Sequence, residues 1–441
     1  MASIRVNLFY KGDNMSILPF CGTIYNPEKF PNLSDVIAPP YDVISPEERR
    51  FFLSRSRFNC ARLILGDEKQ GDYFEDEFYE GTRNLMKKWR EDGSLCKREQ
   101  PGLFFLHQFF TGPDGEQHIR KGFIALMPLA PYGADTVRAH EKTHAGAIKD
   151  RLKLTTLTKT NFSQIFFTYQ DAENAVIKLL DENLSKAVVK LDGMDEATGV
   201  DNICYLIEDE DVIAEVQELM DEKPVFIADG HHRYEMLSQY QRQRLAETTF
   251  SEIDANYIMG YFSCAQDKGL KVYPTHRTFR GLPDFSYQIL LDKIFEYFNV
   301  LKMDIEDVEL GHDHRTLIIA NEQGKPMALR LKDEAYNELR HGLADPILAE
   351  MDTVILEEII MKGILKLTDE DIQHHRYIEY HRDIDSFWEA LRSGSQVGWI
   401  MNYPDNNILF EIGGRGLRLP QKSTYFFPKL PTGIVFRELE D

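Results

Sequence analysis

The chain has 441 residues, 43% of them hydrophobic and 28% charged, an ordinary globular composition that excludes disorder on a large scale and suggests two or three sub-domains. Its 51 Lys+Arg against 72 Asp+Glu leave a formal charge of −21, which works against nucleic acid or an anionic membrane as partner. Five scattered cysteines with no C-x-x-C pair read as reduced, mostly buried thiols; with no signal peptide in MASIRVNLFYKGDN and no run of ~20 apolar residues, the expected location is the cytoplasm.

In chain order, Asp35-Val-Ile-Ala-Pro-Pro-Tyr-Asp42 reads as a strand ending on a Pro-Pro bend. Ser45 follows as the N-cap of a helix, with Pro46 at its first position and Glu48 completing a capping box. Residues 72–92 carry aromatic and apolar side chains near helical spacing. The runs 102–110 and 121–127, joined by Gly112-Pro-Asp-Gly115, predict a hairpin. Residues 133–164 are polar and poor in core residues, so a long functional loop is expected there. Beyond it the pattern predicts a helix over 211–222, a buried strand over 224–228 and a helix over 233–246. In the last third, 317–320 and 327–331 read as paired strands, 346–362 as a helix, and 385–392 as a short helix before Gly398-Trp-Ile-Met401.

The most informative segment is Val225-Phe-Ile-Ala-Asp-Gly-His-His-Arg-Tyr-Glu235, a buried strand turning through Gly230 into a helix. The first turn of a helix has free N–H groups and the positive end of the dipole, and a glycine there lets a ligand approach the backbone. His231, His232 and Arg233 add donors, and Asp229 is placed to hold Mg²⁺ against a phosphate. The plain alternative is that Asp229 caps the helix.

Arg138-Ala-His-Glu-Lys-Thr-His144 contains a literal H-E-x-x-H over His140, Glu141 and His144, the zinc-peptidase pattern. Lys142 between the ligands, Gly146 just after them and the lack of an apolar stripe argue against a buried zinc helix. The other reading makes Glu141 a base on a loop, with His140 and Arg138 orienting it or binding substrate. Weaker candidates for substrate contact are Asp150, Arg151, Asn161, Ser163, the His276-Arg277 pair read as ending a strand, and Lys422, Ser423 and Thr424 beside an aromatic run that also holds Lys429. No G-x-x-x-x-G-K-[ST] loop, G-x-G-x-x-G fingerprint or protein-kinase signature set is present.

Taken together and in this order, DVIAPPYDVIS (35–45), His140-Glu141 with Asp150-Arg151, IADGHHRYE (227–235) and KSTYFFPK (422–429) make the chain resemble the bacterial and archaeal family catalogued as domain of unknown function 1015. The Asp-Gly-His-His-Arg turn also resembles the nucleotide-binding turn of the ParB/sulfiredoxin superfamily, which includes ParB proteins, sulfiredoxins and free-serine kinases. This second resemblance implies an α/β (mixed α+β) fold with a ParB/sulfiredoxin-like core over 136–285, an N-terminal α/β region with the hairpin over 1–135 and a C-terminal α/β region over 286–441. It further implies ATP or ADP as phosphate donor, Mg²⁺ at Asp229, Glu141 as base and a small hydroxyl compound as acceptor, free L-serine being the best single guess. Sulfiredoxin chemistry needs a cysteine in the turn, and none lies between Cys204 and Cys264. A ParB-like role needs DNA, against which the charge argues. A zinc hydrolase and a non-catalytic nucleotide-binding regulator remain as alternatives.

Overall fold

A computed structural model of the chain describes residues 17–66, 76–113, 115–132, 134, 136–140, 145–221, 223–250, 253–301, 314–323 and 326–439. Of these, the residues within 1–139, 143–271 and 428–441 form one unit, and His140 together with 272–427 forms a second. Both are mixed α/β.

The first unit opens with β1 (Thr23–Tyr25), α1 (Pro46–Arg55), α2 (Ala61–Ile64), α3 (Asp76–Glu91) and β2 (Leu95–Lys97). Next come β3 (Leu103–Thr111), β4 (Gln117–Pro128), β5 (Val137–Arg138), α4 (Ala145–Thr158), β6 (Thr160–Asn161) and β7 (Ile165–Tyr169). The series continues with α5 (Ala175–Glu182), β8 (Ala187–Asp195), β9 (Val200–Ile207), α6 (Glu210–Met220), β10 (Val225–Asp229), α7 (His231–Glu247) and β11 (Tyr257–Cys264). Eight strands make one mixed sheet in the order β5-β10-β7-β11-β4-β3-β9-β8. The hairpin is the antiparallel pair β3 and β4, in continuous register from Phe104 opposite Ile124 to Thr111 opposite Gln117. On α1 both halves of the capping box form: Ser45 Oγ accepts from Glu48 N, and Glu48 Oε2 accepts from Ser45 N at 2.7 Å.

One face of this sheet is apolar, with Phe123, Ala125 and Met127 of β4, Ile165 and Phe167 of β7, and Val225 and Ile227 of β10 in a common core. The alternation of a strand then turns Gln108, Arg120 and Phe166 to the opposite face. Strict alternation would also bury Asp229 in the apolar face with Ile227. It does not, because β10 spends two residues against one of β7: Ile227 stands opposite Phe167 and Asp229 opposite Phe166. This bulge at Ala228 turns Asp229 to the polar side, the kind of re-aiming that bulges perform.

Two expectations give way. Residues 35–42 are not a strand: Ala38 makes a single bridge to Thr432, and a 3₁₀ turn over Tyr41–Val43 follows Pro40. Two consecutive prolines have no N–H for a ladder, so the segment is held by its neighbours instead. The supposed loop 133–164 contains α4. Its buried positions mix Ile148 and Leu154 with Asp150, Arg151 and Thr155, so no apolar stripe marks it in the sequence.

The second unit is built on a six-stranded antiparallel sheet in the order Phe298–Val300, Met327–Leu331, Thr316–Ala320, Val397–Ile400, His276–Phe279, Ile378–His381. The predicted pair at 317–331 is present, as is helical structure across 346–364 and over Ile384–Arg392. No helix among the described residues is long and apolar enough to cross a membrane. All five cysteines are free thiols, with Cys60, Cys204 and Cys264 buried.

Candidate functional site

The strand, turn and helix of the Asp-Gly-His-His-Arg segment form as the sequence predicts, and they carry a charge cluster. Gly230 is the N-cap of the 17-residue α7, with φ +94° and no side-chain cap, so Asp229 does not cap the helix. Its carboxylate instead takes two cations: Arg233 Nη2 donates to Oδ2 at 2.8 Å and Lys429 Nζ donates to Oδ1. Burial alone would raise the Asp229 carboxyl, but Lys429 and Arg233 outweigh it and hold it well below the usual carboxylate range. Two cations on one carboxylate leave net positive charge at the positive end of a helix dipole, which favours an anion.

Arg233 also folds back over its own N-cap. Its Nη1 donates to Gln164 O at 2.5 Å, and a Cβ built on Gly230 would meet the guanidinium at 3.1 Å. The glycine thus admits Arg233 at close range as well as a positive φ. Gly230→Ala is expected to cost about 1–2 kcal/mol from left-handed backbone strain and to push Arg233 off Asp229. Urea unfolding of the variant tests this, and stability equal to wild type would show that neither constraint operates.

Tyr41 of the Pro-Pro-Tyr-Asp segment stands beside this cluster. The Arg151 guanidinium lies over its ring at 4.2 Å, and burial, then Asp42, push its hydroxyl up to about 12 while Arg151 and Arg233 pull the other way. Asp150 and Arg151 are ion-paired and tie helices together: Tyr79 of α3 donates to Asp150 Oδ1 at 2.7 Å, and Arg151 Nη1 donates to Ile64 O of α2 at 2.9 Å. Ser163 Oγ lies 3.0 Å from Thr432 Oγ1, and Asn161 is buried on β6, whose partner is Arg437–Glu438. Arg138 is half-buried on β5 beside Phe226. His231 is buried and His232 half-buried on the first turn of α7.

The remaining candidates belong to the second unit, where their contacts are internal ties. His140 Nε2 pairs with Thr424 Oγ1 at 2.9 Å, and Leu419 N donates to His140 O. Arg277 is buried and donates to the carbonyls of Thr275 and Lys422. His276 accepts from Met401 N, and burial, with Arg277 and His381 beside it, pushes its imidazole down to about 4. Rather than ending a strand, the His-Arg pair begins the buried one at His276–Phe279. Ser423 is buried and bonds Thr353 and Pro420 O. Glu141 and His144 lie outside the described residues. Among those described, no group of three His, Cys, Asp or Glu is placed to hold a metal ion.

Lys429, Gln164 and Tyr41 are the contributors that residue-by-residue reading did not single out as site residues. Lys429 and Tyr41 sit inside KSTYFFPK and DVIAPPYDVIS, two of the four segments that carry the family resemblance.

Comparison with solved structures finds a conserved hypothetical protein from Pyrococcus furiosus, 14% identical, with 71% of this chain and 94% of that chain covered and a TM-score of 0.36. A free serine kinase variant in complex with ADP is 15% identical over 72% of this chain and 92% of that one, with a TM-score of 0.38. A C-terminally truncated SbnI from Staphylococcus aureus is 8% identical over 71% and 86%, with a TM-score of 0.37. No curated protein matches in sequence. Residues 17–354, well over half of the chain, match the family described as protein of unknown function (DUF1015), and the chain belongs to that family.

Proposed function

We propose that this chain binds a nucleotide by its phosphates at the N-terminus of α7 and transfers the terminal phosphoryl group to the hydroxyl of a small metabolite, free L-serine being the leading candidate. The observation that carries the reading is the cation pair on Asp229 at an uncapped helix start. Phosphoryl transfer asks a protein mainly to position the reactants and to stabilise charge spreading over the phosphoryl oxygens. Lys429, Arg233, His231 and His232 supply donors for that charge, and the positive end of the α7 dipole adds to them. Asp229 fixes the two cations. Held ionised and bonded on both oxygens, Asp229 is a poor proton acceptor; in this proposal Glu141 is the base, taking the hydroxyl proton as the oxygen attacks the terminal phosphorus and the bond to the bridging oxygen breaks, releasing the nucleotide one phosphate shorter.

Mg²⁺ does not fit Asp229 as the residues stand, because Arg233 and Lys429 already occupy both oxygens and would repel a divalent cation. Mg²⁺ that stays on the nucleotide's own phosphates and water needs no such ligand. The deciding assay incubates the protein with ATP or ADP, Mg²⁺ and separate hydroxyl metabolites, and reads phosphorylated product by mass spectrometry. A ligand at about 100 times its Kd should also add roughly 2.7 kcal/mol to stability. Absence of both product and stabilisation would overturn the proposal; stabilisation without product would reduce it to a nucleotide-binding regulator.

A further inference from the structure

Lys429 lies 200 residues from Asp229 in sequence, on a segment whose hold on the sheet is mostly made through backbone carbonyls. Pro428 and Pro431 have no N–H, so around Lys429 the chain offers acceptors and few donors. The polar face of the sheet supplies the donors. Arg120 Nη2 donates to Pro428 O at 2.6 Å, Gln108 Nε2 donates to Lys429 O at 3.2 Å, and Gln164 Nε2 donates to Pro431 O at 3.2 Å.

These donors are ordered by one another. A guanidinium only donates, so the Arg120 Nη2 contact with Gln108 makes that amide oxygen the acceptor and turns its NH₂ toward Lys429 O and Asn202 Oδ1. Asn202 then accepts at Oδ1, and its own NH₂ donates to Gly193 O and Val200 O on β8 and β9. Arg120 has no exposed surface, and its guanidinium packs over the rings of Phe166 and Tyr261 at 4.6 and 5.5 Å. In so dry a place the guanidinium is held by Nη2, through Gln108 and Pro428 O, and by the two rings. Gln164 joins the two arms of the site, since its backbone carbonyl holds Arg233 while its side chain holds Pro431.

We infer that Gln108, oriented by Arg120 and Asn202, is a positioning residue that sets Lys429 against Asp229 and so fixes the geometry of the anion site. The affinity arm of its test rests on the nucleotide reading; the labelling arm does not. Gln108→Glu keeps the acceptor for Arg120 and removes the donor to Lys429 O. Brief acetic anhydride labelling followed by peptide mass spectrometry should find Lys429 roughly tenfold more reactive in this variant, with the half-exposed Lys190 as unchanged reference. ADP affinity should fall roughly tenfold in the wild-type background and not at all in Lys429→Met, because the two residues act through one contact.

Unchanged Lys429 labelling in the folded variant, or an equal loss of ADP affinity in both backgrounds, overturns the inference. If Gln108→Glu melts so low that Lys190 and Lys429 label together, Gln108→Met, close in volume and without the donor, is scored by the same two criteria. Wild-type protein that binds no ADP sinks the nucleotide reading and leaves labelling to decide the positioning role.

Discussion

Asp229→Asn is expected to cost the first unit about 3 kcal/mol and lower its melting temperature by roughly 5–10 °C. The loss comes less from the missing bonds than from what remains, two cations in a poorly hydrated place without the carboxylate they shared. The side chains of Arg233 and Lys429 are only 8% and 14% exposed, so water cannot replace the carboxylate well. Two further outcomes separate this account from simple loss of packing. Adding Lys429→Met should recover part of the stability, since one cation instead of two is then left without the shared carboxylate. Inorganic phosphate or ADP should stabilise Asp229→Asn more than wild type, because the anion replaces the lost negative charge.

The pH dependence follows from the same pairing. A carboxyl lowered in the folded state contributes stability that is complete above its unfolded value, about 3.9, and is lost as pH falls through the folded value. Asp229 is depressed, so the gap between wild type and Asp229→Asn should be flat from about pH 5 to 8 and close below about pH 4. A gap that instead widened in acid would mean that the Asp229 carboxyl is raised, not lowered. Chemical denaturation at a series of pH values measures it.

Much of the frame was legible because it is local. The capping box at Ser45, the Gly-Pro-Asp-Gly hairpin and the strand, turn and helix at 225–247 each depend on residues a few positions apart. The site needed non-local information. Which way Asp229 faces depends on a bulge that exists only against β7, and its second cation comes from the far end of the chain. α4 escaped notice because its inward side carries the Asp150-Arg151 pair, which reads as solvated charge until Tyr79 and the Ile64 carbonyl are in place to satisfy it. Arg277 misled in the same way: a His-Arg pair looks like an anion contact, yet its guanidinium is used up by backbone carbonyls. Polar residues show their chemistry in sequence, but whether that chemistry is spent on the fold is decided by partners far along the chain.

Lys429→Met should separate binding from chemistry when set beside Glu141→Gln. Lys429 has the longer and more flexible stem of the two cations, it reaches Asp229 with its terminal Nζ, and 14% of its side chain is in reach of solvent. Arg233 is bonded on two sides and stacked over Gly230, and cannot move far. An incoming phosphate therefore has Lys429 as the cation that can swing toward it, with Asp229 left paired to Arg233. Removing Lys429 should weaken ADP binding by roughly 30–100-fold, the worth of a charge-assisted bond to phosphate in a partly desolvated site, and lower turnover by a further 10²-fold or more as developing charge goes unmet. Its effect on stability should be small or favourable, because Asp229 keeps Arg233. Glu141→Gln should leave ADP affinity within about twofold of wild type and lower turnover by about 10²–10⁴, the range for a lost general base. Isothermal titration with ADP and a product assay on both variants give the four numbers. If Lys429→Met binds ADP like wild type, the anion site lies elsewhere; if Glu141→Gln turns over normally, the base has been misassigned and the transfer step needs another residue.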